Sequence, residues 1–264
     1  MGRDVPLEEG AAQLKGERHL SILSVLENQG RAEVRQLSQL LGVSEVTIRR
    51  DLRELDRQGV LVNVRGGALV SRGTGFEVPY AAKLGEHKDE KVRIARAACE
   101  RCQPGETVLL DAGTTVGAMA AHLPNSQLTV ISNALNVINI LARRGSVPFL
   151  VIGGEFRAVS QAFLGPRAVE ALSVLRIDVA FVGTEGVSAD LGLQVPDSSD
   201  ASYKQAIVRA ARKVVVLADH SKFEVERLFT FAGWEEIEEV ITGSETPAHH
   251  VDALRAMGVK LTAV

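Results

Sequence analysis

Residues 44–55 read Ser-Glu-Val-Thr-Ile-Arg-Arg-Asp-Leu-Arg-Glu-Leu, and this stretch decides the fold of the amino-terminal part of the chain. Ile48, Leu52 and Leu55 recur at helical spacing and predict an inward apolar face. Ser44 is a residue type that caps the start of a helix. The side chains left for the outer face are Thr47, Arg49, Arg50 and Arg53. Such a helix fits the major groove of DNA, where arginine pairs with guanine or holds phosphate.

The flanking sequence predicts the rest of a small winged helix-turn-helix over about residues 18–58 and the segment after it. One amphipathic helix runs from Arg18 to near Gly30, and a second, from Val34 to Leu41, stops at Gly42. Gly59 ends the third helix, and residues 60–64 continue as a short strand pair that turns at Arg65-Gly66-Gly67. Arg65 on this wing can reach the DNA backbone or the minor groove. The alternative is that the arginine face contacts a protein partner.

Composition restricts the class of protein. The chain has 264 residues, 45% of them hydrophobic, with a formal net charge of −3, which is typical of a globular protein with a sizeable core. No apolar run approaches the ~20 residues that span a bilayer, so we expect a cytoplasmic protein with no membrane partner. Residues 15–72 carry ten basic and seven acidic side chains, and the remainder therefore sums to −6. That asymmetry favours a phosphate-tolerant module joined to an acidic body.

Neither metal binding nor redox chemistry is predicted from the cysteines and histidines. Cys99 and Cys102 lie in a helical pattern, which favours structural or incidental thiols over a redox pair. The six histidines are scattered, and adjacent His249 and His250 cannot share a helix face. We therefore expect no metal.

Beyond about residue 90, helical stretches alternate with short β-rich runs at 107–110, 128–131, 148–152, 179–182 and 214–217. This alternation of helical and β-rich stretches predicts an α/β domain with a parallel sheet. The runs at 239–242 and 259–262 are expected to add edge strands. Residues 71–90 are rich in glycine and charge and are interpreted as a linker.

The carboxyl end of each main run opens into a small or polar cluster, at residues 111–115, 132–133, 153–154, 183–186 and 219–222. In a parallel sheet those ends share one edge, where ligands bind, so we expect the five clusters to form one pocket. Gly113, Thr114 and Thr115 suit phosphate at a helix start, lysines supply countercharge, and Asp111, Asn133 and Asp219 accept hydrogen bonds from sugar hydroxyls. The candidate effector residues are Asp111, Gly113, Thr114, Thr115, Ser132, Asn133, Gly153, Gly154, Gly183, Thr184, Lys204, Asp219 and Lys222. Neither a GxGxxG fingerprint nor a Walker loop is present, so no nucleotide cofactor is expected.

Several motifs together resemble the DeoR family of bacterial regulators, from about residue 16 to near the end of the chain. They are Leu40-Leu41-Gly42-Val43-Ser44, Thr47-Ile48-Arg49-Arg50-Asp51-Leu52, Arg65-Gly66-Gly67-Ala68, Leu110-Asp111-Ala112-Gly113-Thr114-Thr115, Gly165-Pro166 and Leu217-Ala218-Asp219-x-Ser221-Lys222-Phe223. The resemblance implies a recognition helix that carries Ser44, Thr47, Arg49 and Arg50 to DNA. Asp51 is expected to pair with an arginine of the same chain.

The resemblance also implies a sensor domain folded like ribose-5-phosphate isomerase that senses a phosphorylated sugar. Glu77, Tyr80 and Lys83 resemble a family pattern in the linker, which either relays signals or serves as a plain tether. The sequence departs from the family at Asp200-Ala201-x-x-Lys204, where glutamate is common, and at Ser132-Asn133, where threonine is common.

The predicted organisation is a winged helix-turn-helix at residues 16–71, a linker at 72–90 and a sensor domain at 91–264. The leading hypothesis is a ligand-responsive regulator, a repressor of a carbohydrate-metabolism operon and not an enzyme. The alternatives are a sugar-phosphate enzyme with Asp111 or Asp219 as base and Lys222 as electrostatic aid, and a metabolite-binding scaffold. Because operator selectivity normally needs two half-sites, we expect at least a homodimer on double-stranded DNA.

Overall fold

The computed structural model describes residues 15–57, 61–70, 74–124, 127–223 and 225–264. The chain divides into two compact units, the first ending at Arg72 and the second beginning at Gly73. Among the described residues, no helix is long and apolar enough to cross a membrane.

The first unit is a winged helix-turn-helix, as predicted. Its elements are α1 (Lys15–Gln29), β1 (Arg31–Glu33), α2 (Val34–Leu41), α3 (Glu45–Arg57), β2 (Leu61–Val64) and β3 (Gly67–Val70). Ile22, Leu26, Leu37, Ile48 and Leu52 are fully buried and fix the three helices to one another. The predicted helix end at Gly59 and the strand start at Val60 lie outside the described residues.

The turn and the wing follow from local backbone chemistry. Gly42 adopts a left-handed conformation with φ of 64°, which glycine reaches without steric cost, and its amide donates to the carbonyl of Ser38. Strands β2 and β3 form the predicted hairpin, and β1 adds a third strand antiparallel to β3. Strand β1 was not predicted from the sequence, because it is only three residues long.

The second unit is an α/β domain. Its helices are α4 (Tyr80–Lys83), α5 (Lys88–Cys99), α6 (Thr114–His122), α7 (Leu135–Arg144), α8 (Pro166–Ser173), α9 (Ser198–Ala210) and α10 (Ala248–Ala256). Its strands are β4 (Thr107–Leu110), β5 (Thr129–Ser132), β6 (Phe149–Val151), β7 (Glu155–Arg157), β8 (Ala162–Leu164), β9 (Ile177–Gly183), β10 (Gly186–Ser188), β11 (Gly192–Val195), β12 (Ala211–Ala218), β13 (Phe229–Ala232), β14 (Glu239–Thr242) and β15 (Leu261–Ala263).

Seven of these strands form a parallel sheet in the order β15-β14-β12-β9-β4-β5-β6. Each of the five predicted β-rich runs lies in this sheet, because apolar runs can be buried on both faces. Of the two expected edge strands, β15 is at the edge, whereas β14 lies between β12 and β15. The strands β10-β11-β13 and β7-β8 form two further small antiparallel sheets.

The segment interpreted as a linker over 72–90 is only partly a connection. Residues 80–83 form α4, and Lys83 and Glu90 are buried within the second unit. Lys83 donates to Glu185, so this part of the segment is packed against the α/β domain. The helical pattern expected around the cysteines also ends early, because α5 stops at Cys99 and Cys102 follows it. Both thiols are free, and burial raises the pKa of Cys99 to about 11 and that of Cys102 to about 12, which makes them unreactive.

Candidate functional site

The third helix of the first unit presents the predicted arginine face. The hydroxyl of Ser44 accepts a hydrogen bond from the amide of Thr47 at 3.2 Å, so Ser44 caps α3 as expected. Thr47 is half-buried, while Arg49, Arg50 and Arg53 are exposed. Arg49 also forms an ion pair with Glu45, one turn earlier, at 2.7 Å.

The wing adds one more exposed arginine to this surface, and the inner side of α3 anchors the helix to α1. Arg65 is exposed at the turn between β2 and β3. Asp51 points inward, where its carboxylate accepts from Arg18 at 2.6 Å and lies 3.2 Å from the His19 ring nitrogen. Burial opposes the charge on Asp51, but hydrogen bonds to Arg18 and His19 outweigh it and lower the pKa of this carboxyl. The expectation that Asp51 pairs within the chain is confirmed.

In the second unit, Asp111 and Lys204 form a buried ion pair at the carboxyl edge of the sheet. Asp111 follows β4, and Lys204 projects from α9 to donate to one Asp111 oxygen and to the carbonyl of Gly183, the latter at 3.0 Å. The same Asp111 oxygen accepts from the amide of Gly183, and the other, Oδ1, has no hydrogen-bond partner among the described residues. Burial opposes the charge on Lys204, but Asp111 and Asp200 raise the pKa of its amine.

Asp200 lies one helical turn before Lys204, with its carboxylate 3.9 Å from the amine. Burial, together with repulsion from Asp111, raises the pKa of Asp200 to about 7, although Lys204 acts in the opposite direction. Asp200 therefore supplies a carboxyl that titrates near neutral pH inside the cluster.

A second group of charges joins the clusters after β9 and β12. Glu185 accepts from Lys83 at 2.6 Å and from Lys222 at 3.4 Å, which bridges the two lysines. Burial opposes the charge on Glu185, yet Lys222 and Lys83 hold the pKa of this carboxyl well below its usual range. Asp219 is buried, with one oxygen accepting from the Ser221 amide and the other 3.9 Å from the Lys91 amine.

Around the start of α6, the backbone is open. Gly113 has φ of 143°, and a Cβ added there would meet nothing within 4 Å. Thr114 and Thr115 begin α6, whose first amides have no partner within the helix.

Other predicted residues make contacts that stabilise the loops of the protein. Ser132 accepts from the amide of Ala134, and Thr184 donates to the carbonyls of Gly186 and Gln194. Asn133 is buried and donates to the carbonyl of Phe163 at 3.1 Å, but its Oδ1 has no partner among the described residues.

The predicted effector residues lie in separate groups and not in the single pocket that was expected. Direct side-chain contacts join the clusters at 111–115, 183–186 and 219–222. Gly153 and Gly154 instead line a cavity of about 570 Å³ with Arg167 and neighbours, and neither Asp111 nor Lys204 lines it.

Four further charged residues of these groups were not predicted as site residues from the sequence: Lys83, Lys91, Glu185 and Asp200. Glu185 stands beside Thr184 in a cluster that the sequence analysis singled out, and Lys83 belongs to the motif noted in the linker. Pairing of Lys83 with Glu185 across the fold was not visible in the local pattern.

A winged helix-turn-helix followed by an α/β domain with charged groups at the carboxyl edge of its parallel sheet is the architecture of a two-part DNA-binding transcriptional regulator. Two family models match this chain: the DeoR-like helix-turn-helix domain over residues 18–73 and the DeoR C terminal sensor domain over residues 86–244. The protein belongs to the DeoR family.

Relatives match nearly the whole chain. A putative aga operon transcriptional repressor of Escherichia coli O157:H7 is 33% identical over 94% of this chain and 93% of that protein. The HTH-type transcriptional repressor GlcR of Bacillus subtilis strain 168 is 32% identical over 93% of this chain and 95% of the relative. The glycerol-3-phosphate regulon repressor of Escherichia coli K12 is 30% identical over 93% of this chain and 97% of that protein.

Similarity to solved structures is more distant. A ribose 5-phosphate isomerase from Methanocaldococcus jannaschii has a TM-score of 0.40 and 18% identity, covering 52% of this chain and 55% of that one. A probable sor operon regulator from Shigella flexneri has a TM-score of 0.45 and 12% identity, and the match covers 75% of this chain and 97% of that one. These distant likenesses carry no argument about substrate or reaction.

Proposed function

We propose that this protein is a repressor of a carbohydrate-metabolism operon, and not an enzyme, whose sensor domain binds a phosphorylated sugar. The observation that carries the proposal is the lysine cluster at the carboxyl edge of the parallel sheet, the edge where such folds bind ligands. The names of the relatives, which include an aga operon repressor and a glycerol-3-phosphate regulon repressor, support the regulatory role.

The charges of these residues support the proposed phosphate site. Glu185 pairs with both Lys83 and Lys222. A phosphate can replace Glu185 as the partner of these lysines, because it carries more negative charge than one carboxylate. The open backbone at Gly113 and the first amides of α6 supply further donors for phosphate.

The sugar is held by acceptors. Asp111 Oδ1 and Asn133 Oδ1 are buried without hydrogen-bond partners among the described residues, and buried acceptors of this kind are normally satisfied. Sugar hydroxyls are donors of the required chemistry. Ser132 and Thr184 position the loops, because their hydroxyls are already engaged with backbone groups.

The DNA-binding surface is the exposed side of α3 with the wing. Arg50 and Arg53 lie on the outer face and Arg65 at the wing turn. In this arrangement Ser44 and Thr47 lie at the helix start, where residues of recognition helices meet base edges. Arg49 reaches phosphate or base by exchanging its exposed partner Glu45, an ion pair that contributes little in water.

The decisive experiment measures binding to the promoter DNA beside the protein's own gene by mobility shift, at several salt concentrations and with a panel of phosphorylated sugars. We expect salt-sensitive, sequence-selective binding and a change in affinity with one member of the panel. Absence of salt-sensitive binding to that DNA would sink the regulator proposal.

Two variants separate the two sites. Arg50→Ala is expected to abolish selective DNA binding and leave effector binding by calorimetry intact. Lys222→Ala is expected to weaken effector binding and leave DNA binding without effector intact, since Glu185 keeps Lys83 as a partner. Unchanged effector affinity in Lys222→Ala would remove Lys222 from the site.

A further inference from the structure

His87, Glu90 and His220 come together where the start of α5 meets the loop after β12. His87 precedes the helix, Glu90 lies in its first turn, and His220 follows Asp219 at the carboxyl end of β12. One donor atom from each residue lies within 4.8 Å of the others, and the two imidazole centroids are 4.4 Å apart. The histidines are scattered along the sequence, which led us to expect no metal. The fold nevertheless brings His87 and His220 together.

The donor set is chemically suited to a transition metal. Two imidazoles and a carboxylate bind ions such as Zn²⁺, Co²⁺ and Ni²⁺, and three protein ligands leave a coordination position open. Zinc ligands lie about 2.0–2.2 Å from the ion, so the donors must move slightly closer together. His87 is exposed and can supply this movement.

The surroundings fix the carboxylate at the centre of the group. Glu90 is buried, accepts from the His220 amide at 2.8 Å and lies 2.8 Å from its ring Nδ1. Gly243 leaves room for that carboxylate, because a Cβ there would lie 2.2 Å from Glu90 Oε1. His87 has a left-handed backbone with φ of 49°, which is uncommon for a residue other than glycine, and its ring packs edge-on against that of His220.

A further acidic group, Asp219, directly precedes His220 in the sequence. Its buried Oδ2 has no hydrogen-bond partner among the described residues and lies 3.9 Å from the Lys91 amine. A carboxylate in this position can accept a hydrogen bond from water bound to an ion, as the outer partners of metal ligands commonly do.

We propose that His87, Glu90 and His220 form a binding site for one divalent transition-metal ion of the zinc class. The ion would tie the start of α5 to the loop that carries Asp219 and Lys222. The proposal stands on this triad alone, so it holds or fails independently of the effector assignment.

The test uses untagged, full-length protein stripped with a chelator. Co²⁺ is titrated with its visible absorption as readout, and Zn²⁺ is titrated by calorimetry. We expect one equivalent to bind, and His87→Gln and His220→Gln each to weaken binding by roughly tenfold or more, since each removes a ligand. His87 is exposed, so its variant keeps the test valid even if the His220 variant is unstable.

His249 and His250 provide a matched control, because these two neighbouring imidazoles lie at the start of α10 with ring centroids 4.0 Å apart. The double variant His249→Ala/His250→Ala is expected to retain the single equivalent with unchanged affinity. Loss of binding in that variant, or unchanged binding in His87→Gln, would overturn the assignment, as would the absence of any bound equivalent.

Discussion

Arg50 and Asp51 are neighbours in sequence and lie on different faces of α3. Arg50 is exposed, whereas Asp51 is 1% exposed and holds Arg18 and His19 of α1. The helical period explains the division, because a step of one residue turns the side chain by about 100°. A single helix thereby carries both the proposed DNA-binding surface and the residue that anchors it to α1.

Replacement of Asp51 by asparagine is expected to destabilise the first unit by about 3 kcal/mol at neutral pH, since one partner of a buried pair is removed. The lowered pKa of Asp51 means that its stabilisation is present above the unfolded value and is lost as pH falls through the folded value. The deficit should therefore shrink below about pH 4.

Hydrogen exchange of peptides from α1 to α3 reports this unit separately. The exposed Glu33→Gln serves as a charge-matched control. Equal protection in wild type and Asp51→Asn at pH 7 would contradict the assigned role.

Asp200 gives the opposite pH dependence in the second unit. Because its pKa is raised to about 7, its ionisation costs stability progressively as pH rises from the unfolded value through about 7. Asp200→Asn is expected to be more stable than wild type by on the order of 2–4 kcal/mol at pH 8, with little difference below pH 4.

The chain's single tryptophan, Trp234, lies in the second unit and reports its urea unfolding by fluorescence. Asp190→Asn, at an exposed position, is the control. A stability difference that does not vary with pH would show that Asp200 is not the titrating group.

Secondary structure elements differ in how well they can be predicted from the sequence. The helices of the first unit and the strands β4, β5, β6, β9 and β12 follow from periodicity and from apolar runs. Strands β7, β8 and β10 have three residues each, and β11 pairs with the distant β13, so their pairing depends on tertiary contacts. The candidate site divides in the same way: Asp111 and Lys222 stand in polar clusters after strands and could be predicted, whereas the pairing of Lys83 with Glu185, 102 residues apart, depends on the fold.

The wing depends on one glycine in β3. A Cβ on Gly67 would lie 2.1 Å from the carbonyl oxygen of Ala32, a backbone atom of the adjacent strand β1. Gly67→Ala must therefore separate β1 from β3, and we expect a loss of about 2 kcal/mol. Faster hydrogen exchange in residues 61–70 and weaker DNA binding are the measurements.

Gly16 in α1 is the matched position, since a Cβ there meets nothing within 4 Å. Gly16→Ala is expected to be neutral or to stabilise by about 0.5–1 kcal/mol. Unchanged exchange of the wing in Gly67→Ala would show that the sheet accommodates the methyl group.

At the scale of the whole molecule, charge is divided between the two parts of the chain. Residues 15–72 carry a formal charge of +3 and the remainder −6. A polyanion such as DNA is attracted by a positive net charge and repelled by a negative one, so this division favours contact through the winged module. A module this small contacts few base pairs, which makes pairing of modules the natural source of selectivity.

We therefore expect the protein to bind an operator with two half-sites as at least a dimer, and the spacing of the half-sites to control affinity. Inserting 5 base pairs between them turns one half-site by about half a turn of DNA, whereas inserting 10 restores its face, because the helix repeats every 10–10.5 base pairs. Mobility shifts on the native, +5 and +10 operators should show the largest loss for +5. Equal affinity for all three, or full affinity for a single half-site, would show that one module acts alone.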